Sequence, residues 1–452
     1  MWELIRANRR RSAVLMLGML ALLLALGFLI GSAVAPSLAA TEHTRGHTQL
    51  HYVFDPTAGL IGVAVAAFLW LFQATLAYFQ GDSILLAVSR ARQIEKADHP
   101  QLYNVVEEMT IAASLPKMPG VYVIEDMSMN AFATGRSPER ASVAVTAGLL
   151  ANANRDQLQG VIAHEISHIV HRDVLFMTLA GVMVGSIIML SDLFLRSLRF
   201  GGAHRYRSNS RRGGGGGAQA ILFVAAIVLA IIAPILAQFL YFACSRRREY
   251  LADAGAAVYT RYPEGLASAL EMLEQGNTPL ETANRATAPM YIVNPFDSGA
   301  QAAFGLTSTH PPIRERVRIL RSMAGGVSFQ AYQSAWAAAK GHGEARMPAS
   351  ALQEAPVAVR EGQAQGVQPT PRERMREAGD LLRKVNQFVF LACVCGVRIK
   401  LPPDFKRKNV QCPRCGHVLD VSMPPNPESN PAGRVPPEIP MARVRKDAPP
   451  PR

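Results

Sequence analysis

The hydrophobic positions of the chain fall into four long blocks separated by more polar segments. The blocks run from Ala13 to Ala35, Ala58 to Phe79, Val174 to Leu190 and Ala220 to Ala243. Each block is near or above the roughly 17–25 apolar residues that a helix needs to cross the hydrocarbon core of a bilayer. The pattern therefore predicts an integral membrane protein with about four transmembrane helices.

Two interpretations fit the first block, which follows a cluster of arginines at positions 6 to 11. Small-residue sites at Ala33-Val-Ala35 and Leu38-Ala-Ala40 would suit a cleaved signal peptide. The apolar stretch is longer than a typical signal-peptide core, which favours a retained anchor. Arginines before a first span keep the preceding terminus in the cytoplasm. We therefore expect a multi-pass protein of the cell (inner) membrane whose active site and C-terminus face the cytoplasm.

Between the second and third blocks lies a segment with mixed periodicity. Gln101 to Ala113 has the pattern of a helix, and Gly120 to Ile124 that of a strand. Asn130 to Gly135 and Ala141 to Thr146 predict two further strands around a charged, Pro-containing turn. The chain is thus predicted to be α+β and predominantly α-helical, with a small sheet.

The pattern His-Glu-x-x-His follows these strands, as His164, Glu165 and His168. On a helix that begins near Asp156, both imidazoles lie on one face and can reach one metal ion. Glu165 lies beside the first ligand, where it can take a proton from a metal-bound water. The alternative is a buried helix that carries two histidines by chance.

A charged segment follows the fourth block and supplies a third ligand. A catalytic zinc takes three protein ligands and keeps one position open, and Glu249 is the natural third ligand. Asp253 lies one helical turn later, where it could accept a hydrogen bond from a ligating histidine. Two crossings between His168 and Glu249 would return the chain to one side of the membrane. The alternative is a charged, solvated helix start beside the bilayer.

One feature conflicts with this topology. The connection between the third and fourth blocks contains six arginines between positions 196 and 212. By the positive-inside rule, a short loop so basic should not face outward. Either the last two blocks do not fully cross the bilayer, or the earlier spans dominate the topology.

Four segments together resemble the HtpX-like membrane zinc metallopeptidases, the family that includes the CaaX prenyl protease. They are Asn130 to Gly135, His164 to His168 with His171-Arg-Asp173, Arg248 to Asp253, and Ser308 to Pro312 with Arg314 and Arg316. The resemblance covers roughly residues 1 to 325. The metzincin pattern fails, since position 171 is His rather than Gly.

The resemblance implies a gluzincin-type peptidase domain and a role for each matching residue. His164, His168 and Glu249 would bind the catalytic zinc, Glu165 would be the general base and acid, and Asp253 would support a ligand. His310 would be catalytic, near Arg314 and Arg316; its alternative is a helix-start residue before Pro311. An extended substrate would lie along a strand edge formed by Asn130, Ala131, Phe132, Ala133, Thr134 and Gly135.

Two cysteine pairs lie beyond the region of resemblance. Cys393 and Cys395 form a C-x-C pair, and Cys412 and Cys415 form a C-x-x-C pair. This spacing resembles a zinc ribbon, in which four thiolates close a structural site. Two disulfides are the alternative, which a reducing cytoplasm disfavours. We therefore expect two zinc ions, one catalytic and one structural.

These elements predict a division of the chain and a set of partners. The expected parts are 1–80, a two-span membrane region; 81–325, the peptidase domain with membrane segments near 174–195 and 220–243; 326–387, a linker with a short basic helix; 388–422, the ribbon; and 423–452, a disordered Pro-rich tail. The partners are protein or peptide substrates and the lipid bilayer.

Composition and charge alter this picture little. The net charge of +13 could indicate nucleic-acid binding. The arginines, however, cluster beside membrane segments and in the C-terminal third, and we expect no nucleic acid. The predicted function is zinc-dependent endopeptidase activity at the cytoplasmic face, in protein quality control. The alternative is a membrane-anchored adaptor that uses its ribbon and has an inactive core.

Overall fold

The computed structural model describes residues 2–34, 39–44, 47–52, 56–198, 216–276, 292, 311–323, 326–340, 352, 355–362 and 369–421. The chain forms two compact units, Met1–Gly379 and Asp380–Arg452. The basic loop 199–215 and the tail 423–452 lie outside the described residues.

Helices dominate the part of the chain that the structure describes. They are α1 (Trp2–Val34), α2 (Pro56–Val88), α3 (Pro100–Ala112), α4 (Ala147–Asn152), α5 (Arg155–Val170), α6 (Asp173–Ser197), α7 (Gly216–Thr260), α8 (Pro263–Gln275), α9 (Ile313–Arg321), α10 (Phe329–Lys340) and α11 (Pro371–Val385). The strands are β1 (Ala39–Thr44), β2 (His47–Tyr52), β3 (Ala91–Gln93), β4 (Gly120–Ile124), β5 (Ala131–Gly135), β6 (Ala141–Thr146), β7 (Val389–Ala392), β8 (Arg398–Leu401), β9 (Asn409–Gln411) and β10 (Val418–Asp420).

Four helices are long and apolar enough to cross a membrane. Their spans are Ala13–Ala33 in α1, Pro56–Val88 in α2, Asp173–Ser197 in α6 and Ile221–Tyr241 in α7. Side chains such as Leu23 and Met183 form a buried core among these helices, whereas Phe68 and Leu193 are exposed. Large apolar side chains on the outside of such a bundle face lipid. The predicted fold class, with its four membrane helices, is confirmed.

The fourth membrane helix does not end at the bilayer surface. The sequence suggested a separate helix after Ala243, but α7 is continuous over 45 residues and carries Glu249 and Asp253. At 1.5 Å per residue such a helix is roughly twice as long as the ~30 Å hydrocarbon core. The third predicted ligand is therefore held on a rigid extension of a membrane helix.

A four-stranded sheet lies between the second and third membrane helices along the chain, with strand order β3-β4-β6-β5. Strands β4 and β6 are parallel, and β5 pairs with β6 in antiparallel register from Ala131↔Val145 to Gly135↔Ala141. The three predicted strands are present, and β5 begins one residue later than expected. Because β5 is at the sheet edge, one side of its backbone is not paired with another strand of this sheet.

Two close contacts hold α5 against α7 and α8. A Cβ at Gly160 of α5 would lie 2.5 Å from the backbone nitrogen of Leu266 in α8. A Cβ at Gly255 of α7 would lie 2.1 Å from Oγ of Ser167 in α5. Glycine at these positions lets the metal helix α5 approach α7 and α8 more closely than any other residue would.

The structure differs from the prediction of a linker after residue 325. Residues 329–340 form the helix α10, with Tyr332 and Trp336 buried. Trp336 packs edge-on against Tyr250 of α7, with ring centroids 6.3 Å apart. The spacing of the aromatic residues was the available signal for a packed helix. The predicted basic helix is present as α11.

The second unit contains two antiparallel hairpins, β7–β8 and β9–β10. Each pair of cysteines lies at a turn closed by the glycine that follows it. Gly396 donates to the carbonyl of Cys393, three residues earlier, and Gly416 to that of Cys412, four residues earlier. Both glycines have a positive φ, 83° and 74°. The Gly that follows each cysteine pair therefore has a conformational reason, since only Gly adopts this backbone freely.

Candidate metal centre

The helix that carries the His-Glu-x-x-His pattern has a well-defined start. Asn154, rather than Asp156, caps α5, and it forms a capping box with Gln157. The two histidines lie one turn apart, with ring centroids separated by 4.8 Å. His164 and Glu165 are almost fully buried. The sequence-predicted face of α5 therefore points into the protein.

Glu249 comes from α7 and meets both imidazoles. Its carboxylate oxygens lie 3.5 Å from Nε2 of His164 and 3.4 Å from Nε2 of His168. A tetrahedral zinc with bonds of ~2.0–2.1 Å separates neighbouring ligand atoms by about 3.3 Å. Two imidazoles and a carboxylate at these distances fit zinc, in donor chemistry and in spacing. The structure thus brings together the three residues that the sequence proposed as ligands.

The other ring nitrogen of each histidine is held by a buried carboxylate. Asp253 lies 3.0 Å from Nδ1 of His164, as the family resemblance implied. Asp173, at the start of α6, lies 3.3 Å from Nδ1 of His168. Such carboxylates fix the tautomer of a ligating imidazole, so that Nε2 faces the metal. The role of Asp173 was missed, although an acidic residue at the start of an apolar span was a usable signal.

Each of these carboxylates is paired with a buried arginine. Arg316 of α9 donates to both oxygens of Asp253, at 2.8 and 2.7 Å. Arg248 of α7 donates to Asp173 at 2.6 Å. Arg316 is 0% exposed and Arg248 3% exposed. A carboxylate buried so deeply is costly without a partner of opposite charge. The two Asp–Arg pairs therefore stabilise the support of the metal ligands.

Arg314 and Arg316, which the resemblance placed near His310, have different surroundings. The Arg314 side chain is 90% exposed and pairs with Glu274 at 3.5 Å, whereas Arg316 is fully buried. The two arginines are two residues apart on α9, and positions so spaced on a helix point to different sides. His310 lies outside the described residues.

Burial and charge set the proton affinity of the site. Burial raises the pKa of Glu165 above its ordinary value, and a hydrogen bond with the backbone of Ala133 opposes part of this rise. Burial alone would lower the pKa of His168, but hydrogen bonds to Asp173 and Glu249 outweigh it and raise that pKa to about 10. A carboxylate of raised pKa is a better proton acceptor than an ordinary one.

The sheet edge lies directly beside Glu165. Helix α5 packs against β5, and the backbone of Ala133 partly offsets the rise that burial causes in the pKa of Glu165. Asn130, Phe132 and Thr134 are buried and so help to fix the strand in place. The carbonyl of Ala131 accepts a hydrogen bond from the backbone of Ile292, at 3.2 Å. The strand predicted to bind substrate thus lies next to the helix that carries Glu165.

The four cysteines of the second unit also converge. Sγ of Cys393 lies 3.4 Å from that of Cys415, and Sγ of Cys395 lies 3.6 Å from that of Cys412. All four sulfur atoms lie within 4.8 Å of one another. Zinc–sulfur bonds of ~2.3 Å in a tetrahedron separate the sulfurs by about 3.8 Å. The donor set and the spacing fit a zinc ion, although the first pair has one residue fewer than usual.

Comparisons with known proteins agree with this geometry. Residues 96–324 match the family model described as Peptidase family M48. A "Protease HtpX homolog" of Dictyoglomus turgidum is 48% identical over 265 residues, which cover 59% of this chain and 83% of that protein. One from Streptococcus uberis is 36% identical over 323 residues, covering 72% of this chain and 100% of its own.

Among solved structures, the crystal structure of S. mikatae Ste24p aligns at 19% identity and a TM-score of 0.35, covering 56% of this chain and 58% of that one. That likeness is too low to carry an argument. The match to the family model and the sequence identity with the HtpX homologues are sufficient to assign the family. The chain belongs to peptidase family M48, and it is a membrane zinc metallopeptidase similar to the HtpX homologues.

Proposed function

We propose that this zinc endopeptidase cuts membrane and membrane-proximal proteins at the cytoplasmic face, in protein quality control. The observation that carries the proposal is the convergence of Glu249 on His164 and His168, with oxygen-to-nitrogen distances of 3.4–3.5 Å. These residues come from two helices that both adjoin membrane spans. A peptide bond close to the bilayer surface is therefore the natural substrate.

We assign the catalytic roles as follows. His164, His168 and Glu249 would hold the zinc, which would polarise the scissile carbonyl and lower the pKa of a water molecule. Glu165 would be the general base toward that water and the general acid toward the leaving amine. Its buried position and raised pKa suit this work. Asp253 and Asp173 keep the two imidazoles oriented. His310 remains a predicted oxyanion donor.

The substrate main chain binds along β5. An edge strand offers backbone donors and acceptors to an extended peptide, which fixes the position of the scissile bond. The backbone contact between Ala133 and Glu165 supports this role, because a peptide paired with the strand would pass the catalytic carboxylate. Main-chain pairing imposes little side-chain selectivity, which suits an enzyme that removes many different proteins.

A second zinc in the cysteine unit would be structural. Four thiolates fill a tetrahedral site, so no position is left for a water or a substrate. The proposed role of this unit is recognition of a protein substrate or partner. We retain the predicted boundaries of the domains, with residues 329–340 moved from the linker to the peptidase because they form the packed helix α10.

The proposal is tested with the full chain purified in detergent. We expect close to two zinc ions per chain, cleavage of casein, and loss of cleavage in Glu165→Gln with zinc retained. Glu107→Gln is the matched control, since Glu107 is 46% exposed and forms a surface ion pair with Lys96. Casein cleavage by Glu165→Gln at the rate of the parent would remove Glu165 as the base. Inactivity of the parent would favour the adaptor alternative.

A further inference from the structure

Residues 355–362 follow the region that matches the family, yet they return to the peptidase. The matched region ends at residue 324. Val357 and Val327 exchange both backbone hydrogen bonds, at 2.7 and 3.0 Å. This pair of hydrogen bonds holds residues 355–362 of the C-terminal extension beside Val327, and Arg360 lies at the C-terminal end of α7.

Arg360 binds the C-terminal end of α7. Its backbone nitrogen donates to the carbonyl of Arg261 at 2.9 Å, and its Nε donates to the carbonyl of Thr260 at 2.8 Å. Carbonyls at a helix end have no partner within the helix and attract cations. The guanidinium also lies over the ring of Tyr262, 4.9 Å from the centroid. One side chain thus satisfies the end of the helix and covers an aromatic ring.

The same guanidinium binds the first turn of α5. Its Nη2 donates to Asp156 at 2.9 Å and also to the side-chain oxygen of Gln159. Asp156 is only 8% exposed, and the side chain of Arg360 only 21%. A charged pair shielded in this way is stronger than an exposed one. Arg360 therefore links α5 and α7 at a second point, away from the contacts that Glu249 and Asp253 of α7 make with His164.

The two linked helices are those that supply the metal ligands. Asp156 precedes His164 by eight residues on α5, and Thr260 follows Glu249 by eleven residues on α7. At 1.5 Å per residue, Arg360 acts about 12–17 Å from the metal ligands along the helix pair. Two helices held at one point can still rotate about it, whereas a second fixed point sets their crossing angle.

We propose that Arg360 is a positioning residue for the catalytic zinc. Residues 355–362 bind a site formed by Asp156, Gln159, Thr260, Arg261 and Tyr262, and so hold α5 and α7 in a fixed relative orientation. This orientation keeps Glu249 close to the two histidines and so slows loss of the metal. This inference rests on the ligand set given under the proposed function.

The test measures zinc release from the full chain in detergent, with a chromogenic chelator. The variants are Arg360→Ala, Arg360→Lys and the control Arg372→Ala, which changes an exposed arginine of the same extension. His168→Ala identifies the zinc that comes from the catalytic site, because the kinetic phase of zinc release from that site should be absent in this variant. Substitution of a residue that touches a metal ligand changes the metal affinity by about 10–100-fold. Arg360 is more distant, so its substitution should change the release rate by roughly threefold to tenfold.

We expect faster release from the catalytic site in Arg360→Ala, an intermediate rate in Arg360→Lys, and no change in Arg372→Ala. The lysine variant keeps the charge but not the fork of donors. Should Arg360→Ala not fold, Arg360→Lys and Tyr262→Leu carry the test. If the folded variants release zinc from the catalytic site at the rate of the parent, Arg360 does not have this positioning role. If the parent chain and His168→Ala release zinc with the same phases, the proposed ligand set is wrong. The two proposals, the ligand set and the role of Arg360, can therefore fail separately.

Discussion

The two metal-binding clusters of this chain are built in opposite ways. The peptidase cluster joins His164 and His168 of α5 to Glu249 of α7, across two membrane helices. The cysteine cluster joins Cys393 and Cys395 to Cys412 and Cys415, within two short hairpins. The peptidase ligands are supported by buried Asp–Arg pairs. The cysteines are instead held by turns whose backbone hydrogen bonds are local.

The difference predicts what each metal would contribute. Around the peptidase cluster, apolar helices and buried ion pairs surround the ligands, and we expect this scaffold to fold without zinc. A unit as small as the cysteine hairpins buries little apolar surface, and we expect its folding to depend on a bound metal. On the proposed assignment, zinc in the first cluster serves catalysis and zinc in the second serves the fold. Four substitutions test this contrast.

The largest effect is expected for Glu165→Gln. Loss of a general base lowers the rate by about 10²–10⁴-fold, while the scaffold and its ligands are unchanged. We expect kcat/KM for casein to fall by this factor, with zinc content and melting temperature near those of the parent. If the variant also lost zinc or unfolded, the Glu165 carboxylate would be needed for metal binding or folding and not only for catalysis.

The second test concerns the fold of the cysteine unit. Cys412→Ser removes one of four thiolates, and structural zinc contributes on the order of 10–16 kcal/mol to small zinc-dependent folds. We expect loss of one zinc per chain and rapid proteolysis within residues 380–421, with casein cleavage by the peptidase retained. Protease resistance of this region in the variant would contradict a metal-dependent fold.

The third test addresses the support of the peptidase ligands. Arg316→Met leaves Asp253 buried without its partner, and we expect the zinc affinity to fall by about 10–100-fold. Arg316→Lys should lose less, because it retains the charge. Arg314→Met is the matched control, since Arg314 lies on the same helix and is 90% exposed. Zinc affinities are compared by competition with a chelator, and equal losses at both positions would argue against a specific support.

The smallest effect is expected for Gly160→Ala, which tests the packing of the scaffold. The added methyl group would meet the backbone of Leu266 at 2.5 Å. Overpacking of this kind costs about 1–3 kcal/mol, and we expect a lower melting temperature of the peptidase unit. Gly185→Ala is the control, because no atom lies within 4 Å of its Cβ position. An equal shift in both variants would exclude close packing of α5 as the cause.

Local patterns predicted most of the elements. The four membrane helices, the strands at Gly120–Ile124 and Ala141–Thr146, and the metal helix depend on periodicity and spacing within one segment. The roles of Arg248 and Arg316 did not follow from any local pattern, and the local signal at Asp173, an acidic residue at the start of an apolar span, did not identify its partners. Their charges are paired across α6, α7 and α9, and a charged residue beside an apolar span has a solvated surface as its simplest explanation.

The sequence alone indicated which segments can cross the membrane, which residues can bind a metal, and that the four cysteines can form one local site. Each of these depends on residues that are close together along the chain, where backbone geometry fixes their spacing. Only the tertiary structure decided that Arg248 and Arg316 pair with Asp173 and Asp253, and that Arg360 joins α5 to α7. Those contacts join distant segments, and their formation depends on how apolar helices pack, which no spacing in the sequence records.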